Sequence, residues 1–297
     1  MRAAIAGLGA IALLTAAGCL YEPPGHLPSS VRILYSKSTT DSLGAKTDVY
    51  FLVARSGNEL RLTGEPGVDT QPTFAPSSLR VYYTRELDGR AEIWSMEFDG
   101  SDERAAIADQ TADARAPTIA PDESRIAYTR VAGGRSEIWT AATDGSDARV
   151  LLEGSGWSQP AWAPDGRRLV AVGVRDGVER LHVVDAGGGD PRALAPGGPA
   201  PQADPAWSPD GSRIVFRLGS GAGADIAVME VASGSITRLT DNDVAEGGPS
   251  WSPAGDRIVF VRTSRGKGNL YLMDADGSDV DDLTSSEEAE AADPEWL

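Results

Sequence analysis

Hydrophobic and polar positions alternate along this chain in short runs separated by glycine, proline and aspartate, and the runs come in groups of four. The pattern is clearest between residues 250 and 284. Ser250-Trp251-Ser252 predicts a short strand A, and Pro253–Asp256 a turn. Arg257–Val261 predicts strand B, Ser264–Gly268 a hairpin loop and Leu270–Met273 strand C. Asp276-Gly277 marks a turn before strand D, which starts at Asp282-Leu283-Thr284. The runs are rich in β-branched and aromatic residues, as half-buried strands are. Asp-Gly and Pro-Asp-Gly supply the backbone conformations that tight hairpins require. Beyond the first residues, no segment has the period of a helix of useful length.

The groups recur at a nearly fixed interval. Pro-Ala-Trp-Ala-Pro-Asp-Gly starts at Pro160, Pro-Ala-Trp-Ser-Pro-Asp-Gly at Pro205 and Pro-Ser-Trp-Ser-Pro-Ala-Gly at Pro249. Weaker copies start at Pro72 and Pro117, and a truncated one, Pro294-Glu295-Trp296-Leu297, lies at the C-terminus. The leading prolines are spaced by 45, 43, 45, 44 and 45 residues. Such a period signals a repeat architecture in which each unit buries its apolar face only against its neighbours. Pro28–Ser36 matches Pro76–Thr84, so the N-terminal copy lacks strand A. It supplies only strands B (Val31–Ser36), C (Asp48–Val53) and D (Leu60–Thr63). The orphan strand A at Pro294–Leu297 completes it. The expectation is an all-β protein: a six-bladed β-propeller with four antiparallel strands per blade. The ring is closed where strand A (Pro294–Leu297) joins the N-terminal B-C-D strands, which removes exposed edges.

The phrase Trp-Ser-Pro-Asp-Gly-x-x-Ile-x-Phe, followed by a Leu-Tyr strand, Asp-x-Asp-Gly and Leu-Thr, resembles the TolB-type β-propeller repeat, a relative of WD-like repeats. The likeness covers residues 28–297. The resemblance implies a further N-terminal α/β domain in full-length family members, for which the sequence before residue 28 leaves no room. Partners of those longer proteins, such as the peptidoglycan-associated lipoprotein, are therefore not carried over.

Residues 1–18 read as a signal peptide of lipoprotein type: a basic start at Arg2, then an apolar run too short to span a bilayer. The end, Ala16-Ala17-Gly18-Cys19, resembles the lipobox of bacterial lipoproteins, which implies cleavage before Cys19 and its lipidation. Cys19 is the only cysteine, and an unpaired one in an exported chain needs a reason. Residues 19–30 add a proline-rich tether, and residues 31–297 form the propeller domain. The implied location is extracytoplasmic, lipid-anchored to the bacterial cell envelope, and at the outer membrane if the cell is Gram-negative.

Charge narrows the partners. The formal net charge of −17 argues against nucleic acid and against electrostatic docking on anionic lipid, leaving membrane attachment to the lipid alone. Both the D–A and B–C connections of a propeller fall around the mouth of its channel, where the D–A segments vary between copies. Candidate ligand-binding residues there are Asp69, Gln71, Arg115, Trp157, Gln159, Asp204, Glu246 and Asp293. The rim is mostly acidic, so a basic segment suits it. In the B–C hairpins, Lys37, Arg85 and Arg130 stand opposite Asp48, Glu92 and Glu137, which predicts cross-strand ion pairs, while Arg262 stands opposite Asn269. The recurrent tryptophans are assigned to packing between blades, and Trp157, outside the motif, is the aromatic best placed to bind.

Catalysis has little to draw on. His26 and His182 are the only histidines, too few for a His-based triad or a multi-His metal site. The Asp-Gly-Ser-Asp copies lack the remaining ligands of a calcium loop and read as hairpin turns. No catalytic residue, metal or cofactor is assigned. The function expected is a non-catalytic, monomeric binding or scaffold propeller engaging an envelope protein or peptide at the channel mouth. The alternative is a carboxylate-dependent hydrolase or lyase acting on an envelope or extracellular glycan, and a third reading is a purely structural envelope protein.

Overall fold

A computed structural model of the chain describes residues 31–297, apart from 42, 43, 196, 199 and 285–289. The segments expected to be a signal peptide and a tether, with Cys19 between them, lie outside the described residues. No α-helix occurs among the described residues; two single 3-10 turns are the only helical segments there.

The strands follow the sequence pattern in sets. The first holds β1 (Arg32–Asp41), β2 (Gly44–Val53) and β3 (Asn58–Arg61). Next come β4 (Val68–Ala75), β5 (Arg80–Leu87), β6 (Arg90–Glu97) and β7 (Arg104–Ile107), then β8 (Asp113–Ile119), β9 (Arg125–Ala132), β10 (Arg135–Ala142) and β11 (Arg149–Leu152). The following set is β12 (Trp157–Trp162), β13 (Arg168–Arg175), β14 (Val178–Asp185) and β15 (Arg192–Ala193). It is succeeded by β16 (Gln202–Trp207), β17 (Arg213–Leu218), β18 (Asp225–Glu230) and β19 (Ile236–Arg238). The last set is β20 (Ala245–Trp251), β21 (Arg257–Ser264), β22 (Lys267–Asp274) and β23 (Asp281–Asp282), with β24 (Glu290–Trp296) at the C-terminus.

Within each set consecutive strands pair antiparallel, giving four separate four-stranded sheets and one larger sheet of eight strands. The larger one is two sets joined by a single parallel bridge, Thr47 to Val68. Its first set starts with β24, which pairs antiparallel with β1 through Ile33–Trp296, Leu34–Glu295, Ser36–Ala292, Lys37–Ala291 and Ser38–Glu290.

The apolar faces are buried between successive sets, as the repeat logic requires. Phe216 and Leu181 share one cluster across the fourth and fifth sets, and Tyr82 and Ile126 another across the second and third. A further cluster joins Val259 and Leu270 of the last set to Ile33 and Tyr35 of the first. The motif tryptophans Trp162, Trp207 and Trp251 are buried at these seams, in agreement with their assignment to packing.

The Asp-Gly-Ser-Asp segments are hairpin turns. Asp99 accepts the Ser101 N–H at 2.8 Å, Gly100 has φ +83°, and Asp102 pairs with Arg80 at 2.8 Å. Asp144, Gly145 and Asp147 repeat the arrangement with Ser146 and Arg125. In each copy the first aspartate holds a backbone amide and the second an arginine, so both are turn fixtures.

The Leu-Thr dipeptide after strand C also has a structural use. Thr63 Oγ1 accepts the Val49 N–H at 3.0 Å and Thr240 Oγ1 accepts the Ile226 N–H at 2.9 Å. A side-chain hydroxyl thus takes up a buried backbone donor where the short D strand has ended.

Candidate functional site

The first strand of each set is longer than its motif suggests. Strand A was expected to start beside its tryptophan, with the candidate residues in the preceding loops. Instead β4, β8, β12, β16, β20 and β24 all start several residues earlier, and all eight candidates lie on them. The reason is a bulge. In every copy the residue before the motif proline (Gln71, Ala116, Gln159, Asp204, Gly248 and Asp293) is left-handed, with φ between +49° and +56°. The register shifts at this point in each set, as between Thr70 and Thr73 or Ala203 and Ala206. A bulge lets a strand continue through a proline that cannot donate to the ladder, and the proline sits on the edge strand where that loss is tolerated.

These bulges line a cavity of about 810 Å³, and the six left-handed residues all face it. They are also bonded from one set to the next. The Gln71 N–H donates to Asp293 Oδ2 and to Ser36 Oγ, both at 3.2 Å. The Ala116 N–H donates to Gln71 Oε1 (3.0 Å) and Thr84 Oγ1 (3.1 Å). The Asp204 N–H donates to Gln159 Oε1 at 3.0 Å, while Gln159 Nε2 donates back to Asp204 Oδ1 at 2.5 Å. Where the preceding set offers only Ala116, the Gln159 N–H turns to Thr129 Oγ1 at 3.1 Å. The amides of Gln71, Ala116, Gln159 and Asp204 are thereby satisfied, as buried backbone donors must be.

The candidates divide into two groups. Gln71, Gln159, Asp204, Glu246 and Asp293 line the cavity, and Asp69, Arg115 and Trp157 do not. Asp69 is fully buried in a two-point pair with Arg85, at 2.7 and 2.8 Å. Burial pushes its carboxyl upward against the pull of the Arg85 guanidinium. Arg115 is held by Glu86 at 2.8 Å and Asp113 at 3.4 Å. Trp157 packs edge-on against His182, with ring centroids 5.1 Å apart. Its indole occupies space that Gly173 leaves: a Cβ there would stand 2.5 Å from Trp157 Cζ3.

This packing corrects the ion-pair pattern expected in the B–C hairpins. The register does set Arg85 opposite Glu92 and Arg130 opposite Glu137. The guanidinium groups nevertheless pair with carboxylates ahead of the bulge in their own set: Arg85 with Asp69, Arg130 with Asp109 (2.8 Å) and Arg262 with Glu246 (2.8 Å). Each arginine also lies over an aromatic ring of strand C. Arg85 is 4.7 Å from the Trp94 centroid, Arg130 4.8 Å from Trp139 and Arg262 4.5 Å from Tyr271. Glu92 and Glu137 instead accept the Trp94 and Trp139 indole N–H groups, at 3.2 and 2.9 Å. Stacking favours the guanidinium's planar fork in this slot. In the fourth set Trp157 fills the slot, which is why the arginine position there is Gly173.

Acidic groups dominate the charge on the cavity wall. Asp204 pairs with Arg217 at 2.8 Å, and Glu246 with Arg262. Asp293 and Glu295, both on β24, have no cation within ion-pair distance among the described residues. Asp293 Oδ2 accepts from Gln71 N–H and Ser36 Oγ, and Glu295 Oε1 from the Phe74 N–H (2.8 Å) and Thr73 Oγ1 (3.3 Å). Both residues are half-buried on the cavity wall. Burial raises the Asp293 carboxyl, with the Asp204 charge adding to it, and burial pushes Glu295 up to about 7.

Glu295, Arg217, Ala116 and Gly248 were not among the candidates. Reading the residue before each motif proline as one aligned position would have found Ala116 and Gly248. The residue after that proline runs Thr73, Thr118, Ala161, Ala206, Ser250 and then Glu295, so Glu295 stands out on the same alignment.

Among known proteins, 57 residues (19% of this chain) are 32% identical to the Tol-Pal system protein TolB of Bordetella pertussis. The match spans only 13% of that relative's length. The crystal structure of TolB from Acinetobacter baumannii is similar with a TM-score of 0.78 at 21% identity, over 90% of this chain and 67% of that one. An oligogalacturonate lyase in complex with manganese is similar with a TM-score of 0.59 at 13% identity, over 84% and 73% of the two chains. At these identities the two structures show a shared fold alone. The family model described as the TolB beta propeller domain matches residues 9–198 and 199–297. With nearly its whole length matched, the chain belongs to the TolB β-propeller domain family.

Proposed function

We propose that this protein is a non-catalytic, lipid-anchored scaffold of the cell envelope that engages a protein or peptide segment at its channel mouth. The fold behind this reading is a closed six-bladed ring, supported by the β24–β1 ladder and by the cluster joining Val259 and Leu270 to Ile33 and Tyr35. Similarity over 57 residues to a protein named for the Tol-Pal system supports the envelope part of this reading.

One observation carries the binding site. The strained position before each motif proline is shared by all copies in conformation, yet filled by four residue types across the six copies: Gln71 and Gln159, Asp204 and Asp293, Ala116 and Gly248. A position kept only for packing would repeat its residue as the tryptophans do. Unequal side chains around one cavity give a wall that reads a particular ligand. The wall's acidic balance suits a basic segment, and the site needs no cofactor or metal.

Gln159→Ala combined with Asp204→Asn should remove a partner that co-purifies with the wild-type chain. Val174→Ser, outside the cavity, should leave it bound. An unchanged partner set in the double variant would refute binding at the channel. The anchor is tested separately: metabolic labelling with an acyl precursor should mark the wild type and not Cys19→Ser, and labelling that survives would exclude lipidation at Cys19.

A further inference from the structure

Arg217 is the one cationic side chain on the cavity wall among the described residues, set against Asp204, Glu246, Glu290, Asp293 and Glu295. A shift of one residue puts it there. In the second, third and sixth sets an arginine five residues into strand B stacks over a ring of strand C. In the fifth set that position is Leu218, which is buried, and the arginine comes one residue earlier. Neighbouring residues of a strand point to opposite faces, so the guanidinium leaves the stacking slot for the wall. At the position Arg217 takes, Ser36, Thr84 and Thr129 accept the bulge amide of the following set. Arg217 offers no acceptor, and the Gly248 N–H reaches only Asp204 Oδ2, at 3.4 Å.

The guanidinium is held with one edge open. Its Nε donates to Asp204 Oδ2 at 2.8 Å and its Nη1 to the Gly219 carbonyl at 2.9 Å. Its Nη2 has no hydrogen bond among the described residues. Gly247 makes room for the side chain, since a Cβ there would stand 3.1 Å from both Arg217 Cδ and Asp204 Oδ2. Between Arg217 and Pro294 the wall is the bare backbone of Gly247 and Gly248. The Gly248 N–H and Arg217 Nε converge on the same oxygen, Asp204 Oδ2. One unused donor and one stretched donor thus stand together, and a planar guanidinium fixed in this way suits a carboxylate.

We infer that Arg217 is the specificity-determining residue of this channel, and that the segment it selects carries a carboxylate on the mouth side of its basic group. The inference rests on the binding site proposed above. An isolated anion meets Asp204, Glu290 and Asp293 together with Arg217, and the acids outnumber the cation. A carboxylate is held only when its own segment also brings a cation to Asp293 and Glu295, whose partners are amides and hydroxyls. The register fixes the order of the two groups. Arg217 lies opposite Ala203, ahead of the bulge at Asp204, whereas Glu295 follows its motif proline as Ala206 does. Along the strand those levels are about 7–10 Å apart. An extended segment covers that span in about two to four residues.

Selection of a random heptapeptide library, displayed on phage, against the full-length chain tests this. Peptides recovered on the wild type should carry a lysine or arginine with an aspartate or glutamate about two to four residues away. On Arg217→Gln the basic residue should persist and the acid should fall to its frequency in the library. A recovered peptide, made synthetically, should bind Arg217→Gln about ten- to a hundredfold more weakly than the wild type. Its counterpart with an amide in place of the acid should bind both proteins alike, which a merely structural role for Arg217 would not produce. Arg217→Lys, which keeps the charge without the planar fork, should fall between them. Basic peptides without a linked acid on the wild type would overturn the role of Arg217 and leave the channel site standing. Equal weakening of the acid and amide peptides in Arg217→Gln would overturn it likewise. Recovered peptides with no basic residue, or ones that still bind Gln159→Ala combined with Asp204→Asn, would overturn the channel site and this inference together.

Discussion

Ala116 shows most simply what the bulge costs. It has φ +52°, a conformation that an L-residue with a Cβ enters at a penalty of about 1–2 kcal/mol. Its amide is satisfied by Gln71 and Thr84, while its methyl group brings none of the hydrogen bonds that Gln159 or Asp204 make from the same position. Gly248, the glycine at this position, has φ +56°. Ala116→Gly should therefore stabilise the fold by about 0.5–1 kcal/mol, the strain relieved less the added freedom of the unfolded chain. Chemical denaturation checks this, and a loss of stability would mean that the strain is absent. The positions of these residues were legible, because the proline spacing marks them. Their conformation was not, since Gln, Ala, Asp and Gly share no turn signature.

At the scale of elements, the strand order and the turns could be read from alternation and Asp-Gly pairs, whereas the start of strand A could not. A proline two residues before the tryptophan reads as a break, and only the bulge on an edge strand turns it into continuation. Trp157 shows a second limit. Its position outside the motif suggested a free aromatic, but it fills the slot that Arg85, Arg130 and Arg262 occupy in other sets, between β12, β13 and β14. Gly173→Ala should accordingly cost about 1–3 kcal/mol, the range for overpacking a tight interior. The same change made on a Trp157→Ala background should cost much less. Additive effects in this double-mutant cycle would show that the glycine does not serve the indole.

For the whole molecule, the repeat determines how neighbouring sheets bury their faces, and the departures from it collect in one place. Asp69 and Arg115, though variable, are absorbed into ion pairs, while Gln71, Gln159, Asp204, Glu246 and Asp293 remain on the cavity wall. Copy-to-copy variation therefore located the cavity but could not separate wall from seam, because that distinction depends on which neighbour each side chain reaches. The most direct test of binding at this wall is position-resolved photo-crosslinking in the native envelope. A photoreactive residue is placed at Gln159 and, as a control outside the cavity, at Leu79 in the β4–β5 turn, which is 40% exposed. A discrete protein adduct at Gln159, absent at Leu79 and lost when Asp204→Asn is added, is the result predicted. Adducts of equal yield at both positions, or at Leu79 alone, would contradict it.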